Sequence, residues 1–241
     1  MFHWELDGIR FMKDASEYVP YYQELAALIR PYFHKNSHIC DVGCGLGYLS
    51  LELAASFSQV TAVDADAKAL AVLRENCRFR GVKNIRVLCD DAKQMEPEQP
   101  YDGMVFCFFA NIDEILEIAK KHCRGTVIAV KKNYSAHRFS VGTHEITHDS
   151  FRRAAMRLSE LGIPFVSGKL ELEFGQPFAN VPDARRFFEI YSQDEEKSAI
   201  TDEFLRGKLK ETGEREFPYY LPQLRKLGWI KFEMKDILKK R

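Results

Sequence analysis

The sequence predicts an α/β protein built on a mainly parallel sheet. Short apolar runs alternate with helical patterns over the first 130 residues, the order that right-handed βαβ units produce. The run Tyr101 to Phe108 is nearly all apolar on both faces, as suits a strand buried between two helical layers. A glycine-rich turn joins the first strand to the helix that follows it.

Residues 16–33 carry Tyr18, Tyr21, Tyr22, Leu25, Leu28 and Ile29 at helical spacing, and Pro31 closes the segment. His38 to Val42 is a short apolar strand, and Leu49 to Ala55 continues as a helix. Gln59 to Asp64 is a strand, followed by a helix from Ala67 to Phe79 that Gly81 stops. Ile85 to Cys89 and Tyr101 to Phe108 are strands, Asp113 to His122 a helix and Gly125 to Val130 a strand. Ser150 to Leu161 reads as a helix and Phe165 to Phe174 as a strand. Residues 179–225 read as charged and helical, and Trp229 to Met234 as a last strand, which fits an antiparallel edge on the parallel sheet. One domain is expected: an N-terminal lid helix (1–35), a core (36–178), a helical insertion (179–225), and the last strand with its tail (226–241).

Composition narrows the function. Lys plus Arg and Asp plus Glu each total 35 in 241 residues, so no long-range field draws the chain to nucleic acid or an anionic membrane. No apolar run approaches the roughly 20 residues that span a bilayer. Met1 to Glu5 lacks the basic and apolar regions of a signal peptide. The six cysteines show no paired CxxC spacing and read mostly as buried free thiols, so a cytoplasmic location is expected.

The informative segment is Asp41-Val42-Gly43-Cys44-Gly45-Leu46-Gly47-Tyr48. Glycines at alternate positions between a strand and a helix allow a tight turn and close approach of a ligand. Tyr48 stands where a dinucleotide fingerprint has its third glycine, and Asp41 precedes the turn. An acid there repels pyrophosphate and suits a ligand with an ammonium and a sulfonium; it serves equally as a cap on the turn's backbone.

This segment resembles the first motif of the class I S-adenosylmethionine-dependent methyltransferases. Three further matches follow in order: Val60 to Asp64, Val87 to Ala92, and Tyr101 to Cys107. The resemblance implies a doubly wound, seven-stranded, Rossmann-like sheet with six parallel strands and one antiparallel, and S-adenosylmethionine as cofactor. It implies that Asp41, Gly43, Cys44, Gly45 and Gly47 shape the methionine side, and that Asp64, with Ala65, holds the ribose. It implies that Asp91, with Asp90 as its competitor, and Ala92 meet the adenine, and that Cys107 ends the strand facing the sulfonium. Amino-directed nucleic-acid members carry an Asn/Asp-Pro-Pro-aromatic run after the fourth strand; Cys107-Phe108-Phe109-Ala110 departs from it, which argues against adenine N6 or cytosine N4 as acceptor.

Methyl transfer from a sulfonium is an in-line displacement, so orientation supplies most of the catalysis and a sparse acid–base set is expected. Acceptor-side candidates are Phe11, Met12, Tyr18, Tyr21 and Tyr22, then Lys131, Lys132, Asn133, Tyr134, His137 and Arg138, then Arg185, Arg186, Tyr191, Tyr219 and Tyr220. His137 is the candidate base, because an imidazole titrates near neutrality; the bland alternative is a solvated loop histidine, and for the tyrosines core packing. His144 and His148 flank Glu145, but Gly142 and Thr143 break the helix a metal face needs, so no metal is expected. A small-molecule acceptor is expected. Protein or nucleic acid is the alternative, supported by the basic runs Arg206 to Lys210 and Lys235 to Arg241. A non-catalytic cofactor-binding subunit is the third reading.

Overall fold

The computed structural model describes residues 5–134, 139, 141 and 151–238. Its centre is a seven-stranded sheet. In chain order its strands are β1 (His38–Val42), β2 (Gln59–Asp64), β3 (Ile85–Cys89), β4 (Tyr101–Cys107), β5 (Cys123–Lys132), β6 (Val166–Glu173) and, after three short strands, β10 (Leu224–Glu233). The spatial order is β3-β2-β1-β4-β5-β10-β6. β10 runs antiparallel to both neighbours, which leaves six strands parallel. The expected doubly wound sheet is thus present.

Helices cover both faces. α2 (Tyr21–Ile29), α3 (Tyr48–Ala54) and α4 (Ala67–Arg80) lie on one, where Leu25, Ile29, Leu49 and Leu53 pack on Ile39, Val60, Val105 and Ile128. α5 (Ile112–His122), α6 (Phe151–Glu160) and α9 (Met234–Leu238) lie on the other, where Ile115, Leu116, Leu158 and Ile237 meet Met104, Phe106, Val127 and Phe232. Local chemistry sets the helix ends. Asp66 caps α4 by accepting from Lys68 N and Ala69 N, and Gly81 closes it at φ +66°. Asn111 and Glu114 form a reciprocal capping box on α5, whose last turn carries Lys120, Lys121 and His122 against the helix dipole.

Three expectations need correction. The segment 16–33 is not one helix: α1 (Leu6–Tyr18) ends before α2 because Pro20 drives Val19 into an extended conformation, φ −119° and ψ 149°. The region 179–225 is not purely helical. It holds α7 (Val181–Tyr191) and α8 (Asp202–Lys208), but also β8 (Lys210–Glu211) and β9 (Tyr219–Leu221), which join β7 (Gln176–Phe178) in a second, three-stranded sheet. The last strand begins at Leu224, five residues earlier than its apolar run suggested, because Leu224, Arg225 and Lys226 already pair with β6. Of the six cysteines, none in a disulfide, only Cys40 and Cys123 are fully buried, and Cys89 is exposed.

β6 ends and β10 begins at the carboxyl edge of the parallel strands, so residues 174–223 rise from the edge that carries the glycine turn. α1 joins this region. Phe11 lies edge-on to Phe178 and Phe187, and both terminal nitrogens of Arg10 donate to the Asp183 carboxylate at 3.1 Å. No helix among the described residues is long and apolar enough to cross a membrane.

Candidate active site

The turn after β1 is made by backbone. Gly43, Gly45 and Gly47 have φ of +70°, +54° and +76°, the left-handed region that a side chain disfavours. Gly43 N and Cys44 N both donate to Val63 O, at 2.8 and 3.0 Å, which ties the turn to the end of β2. A Cβ on Gly43 would collide with the Phe109 ring, and one on Gly47 with Leu73.

Asp64 ends β2, and its carboxylate lies beside that turn. Oδ2 accepts from Gly45 N at 2.8 Å and Oδ1 from Asp66 N at 2.9 Å. Each oxygen keeps a second acceptor site. Asp90 N donates to Asp64 O, which draws the end of β3 against Ala65. Both acids after β3 cap local backbone: Asp90 accepts from Asp91 N at 2.8 Å and Asp91 from Lys93 N at 2.9 Å. Asp91 is exposed and Asp90 half-buried, whereas Ala92 is buried. The geometry therefore keeps Asp90 and Asp91 both available.

Asp41 is buried in the sheet between Ala62 and Val105, and accepts from Ser50 Oγ at 2.6 Å. Its recorded bond thus reaches α3 and not the turn's backbone. Burial raises its pKa to about 7, against the lowering effect of the Ser50 hydroxyl and with added repulsion from Asp64. Burial also raises the thiols of Cys44 and Cys107, the latter to about 12, so both are neutral at neutral pH.

The loop after β4 is built differently. Phe108 and Ala110 hold left-handed backbone, φ +56° and +55°, although neither is glycine. Such a residue costs on the order of 1–3 kcal/mol and persists only where the surroundings impose it. Phe108 N is bound to Val130 O at 2.9 Å. The buried Lys131 of β5 reaches under the loop, where Nζ donates to the carbonyls of Phe109 (3.1 Å) and Ala110. Lys131, read from sequence as an acceptor-side group, is thus a support of this loop.

Other acceptor-side candidates also have structural partners. Phe11 is in the insertion core with Phe187 and Phe188, and Tyr191 and Tyr219 pack against the same cluster. Tyr18 donates to Glu214 and Tyr220 to Glu173. Arg185 bonds Ile200 O and Asp202, and Arg186 bonds Asp7. Tyr21 and Tyr22 do meet beside the strand ends, with Phe174 at 4.4 and 5.9 Å from their ring centres. His137, Arg138, His144, Glu145 and His148 lie outside the described residues, among which no group of His, Cys, Asp and Glu is arranged to hold a metal.

Sequence reading missed Arg225. It stands at the start of β10 with its guanidinium carbon 4.5, 5.0 and 5.3 Å from the ring centres of Phe174, Phe108 and Tyr21. These partners come from three distant parts of the chain, so no local pattern announces the cluster.

The residues at β1 to β3 fit S-adenosylmethionine: a turn that only glycines adopt easily, a carboxylate with open acceptor sites, and a buried alanine at the third strand end. Comparison with known proteins agrees. Residues 39–125 match the family described as a methyltransferase domain. A probable cobalt-precorrin-6B C(15)-methyltransferase of Methanosarcina acetivorans is 35% identical over 36% of this chain and 52% of its own length. The ribosomal protein L11 methyltransferase of Acetivibrio thermocellus is 35% identical over 40% of this chain and 30% of its own. The chain therefore spans about half the length, or less, of these curated relatives. The YcgJ protein of Bacillus subtilis shares the fold, with a TM-score of 0.56 at 14% identity over 87% of this chain and 97% of its own. With the sheet order and the site geometry, these matches identify a methyltransferase domain over residues 39–125 that is similar to the class I S-adenosylmethionine-dependent enzymes.

Proposed function

We propose that the chain is an enzyme that transfers the methyl group of S-adenosylmethionine to a small-molecule acceptor. The observation that carries the small-molecule reading is the aromatic enclosure beside the end of β4, where Tyr21, Phe108 and Phe174 surround one guanidinium. Aromatic side chains with few polar groups suit a compact ligand, whereas a nucleic-acid face needs a basic, open surface. The bound cofactor supplies an electrophilic methyl on a sulfur leaving group. This chain's residues bind and align. The turn at Gly43, Cys44, Gly45 and Gly47 receives the methionine side, with Asp41 and Cys107 behind it. Asp64 and Ala65 hold the ribose, and Asp91 and Ala92 meet the adenine. Orientation of this kind contributes roughly 7–11 kcal/mol to a displacement, so the reading assigns no general base. The reading includes a cytoplasmic location, where exposed Cys89 stays reduced.

Incubation of the protein with cell extract and methyl-tritiated cofactor tests this. Label is expected in small metabolites. Label confined to protein or RNA would overturn the acceptor class. Cofactor binding without transfer to any fraction would overturn the enzyme reading in favour of a binding subunit.

A further inference from the structure

We propose that Arg225 anchors an anionic group, a carboxylate or phosphate, carried by the methyl acceptor. The inference rests on the methyltransferase reading above and extends it to the chemistry of the acceptor.

Arg225 differs from six other arginines of the chain. Arg10, Arg80, Arg124, Arg157, Arg185 and Arg186 each have a carboxylate oxygen between 2.5 and 3.3 Å away. Among the described residues no carboxylate pairs with Arg225; its electrostatic neighbours are the phenols of Tyr21, Tyr134 and Tyr22. A guanidinium has five N–H donors. One hydrogen bond is recorded, a long one from Nη1 to the Tyr21 hydroxyl at 3.4 Å. Nε is enclosed and has no partner.

Placement makes this a site and not merely a packing solution. Arg225 enters β10 opposite Leu172 of β6, at the carboxyl edge of the parallel strands. Its charge acts on Cys107, the last residue of β4, together with Asp41 and Lys131. The guanidinium therefore stands beside the strand end assigned to the reacting methyl. Three aromatic rings flank it, so the cation is held by their faces. Cation–π contact stabilises the charge without using its N–H groups. A planar carboxylate or a phosphate would engage Nε and a terminal nitrogen together, in the fork geometry that arginine presents and lysine does not. A buried cation with no counterion is destabilising; an anion that arrives with substrate removes that penalty and is selected by it.

The cofactor's own carboxylate offers the same chemistry, and the test separates the two sources. Protein saturated with S-adenosylhomocysteine is titrated with benzoate, and separately with inorganic phosphate. Calorimetry and the ¹⁵N resonance of Arg225 Nε are the readouts. Benzoate or phosphate is expected to shift that resonance. Arg225→Met is expected to lose the anion affinity at least tenfold, Arg225→Lys to restore part of it, and both to keep S-adenosylhomocysteine affinity within twofold. Equal anion binding by wild type and Arg225→Met, or none by wild type, overturns the proposal and leaves a cation–π staple. A tenfold loss of S-adenosylhomocysteine affinity in Arg225→Met overturns it in favour of the cofactor's carboxylate. Arg225→Lys decides alone if the Met variant does not fold. Failure of wild type to bind S-adenosylhomocysteine would defeat the underlying cofactor reading, while the same titration of unliganded protein still reports on Arg225.

Discussion

The carboxyl edge of the sheet has two halves made by opposite means. At β1, β2 and β3 the surface is backbone: three left-handed glycines, and carboxylates that tie down turn N–H groups. At β4, β5 and β10 it is side chain: a non-glycine loop forced into left-handed backbone, a buried lysine beneath it, and an arginine among aromatic rings. The contrast separates what is common from what is particular. A cofactor shared across a family is met by a turn written in a few adjacent residues. In the proposed function, the acceptor is met by residues brought together from across the chain. The family match over residues 39–125 accordingly ends at the start of β5, before Lys131 and Arg225.

Three variants break or sharpen this division. The largest expected effect is in the backbone half. If Asp64 holds the ribose as proposed, Asp64→Ala removes two charge-assisted hydrogen bonds to it and is expected to weaken S-adenosylhomocysteine binding about 100-fold, ~3 kcal/mol, in calorimetry. The circular dichroism of the fold stays unchanged. Unaltered affinity would mean that the β2 acid is misassigned.

Next is the side-chain half. Lys131→Met leaves the Phe109 and Ala110 carbonyls without their donor, at a cost of about 1–3 kcal/mol. A chain of this size loses roughly 2–4 °C per kcal/mol, so thermal denaturation should show a drop of about 5 °C. Cofactor affinity should hold while methyl transfer falls. If affinity falls as far as in Asp64→Ala, the halves are not independent.

The smallest effect is a pH dependence at their junction. Asp41 has a pKa of 3.8 in its ordinary state and about 7 in the fold. The folded chain thus keeps a proton that the unfolded chain releases as pH rises from about 4 to 7. Its contribution favours the fold most at low pH and is lost through that window. A ligand ammonium favours the carboxylate, so affinity should weaken by up to about tenfold per pH unit below 7. Asp41→Asn should flatten the profile from about pH 5.5 to 8. A flat wild-type profile would detach Asp41 from binding.

How much could be read from sequence follows the same division. β3 is found within its observed bounds, Ile85–Cys89, because a short apolar run between loops leaves little choice. The glycine turn is legible because left-handed backbone needs glycine. β8 and β9 have only two and three residues, too few to show alternation. Leu224 and Arg225 read as the end of a charged helical stretch because their strand character comes from their neighbour β6 and not from their own pattern. The Pro20 break was legible and outweighed by the tyrosine spacing on both sides of it. Arg225 was illegible because its significance lies in Tyr21, Phe108 and Phe174, of which the nearest is about 50 residues away.

The docking of α1 on the insertion bears on how the molecule is made. Arg10 and Asp183 are 173 positions apart. At a ribosomal pace of roughly 5–20 residues per second, α1 waits about ten to thirty-five seconds for its partner to be synthesised. The nucleoside half can assemble in that interval while Phe11 remains uncovered. The strands around the glycine turn are therefore synthesised well before the insertion, and the Phe11 side of α1 stays uncovered until Phe178 and Phe187 have emerged.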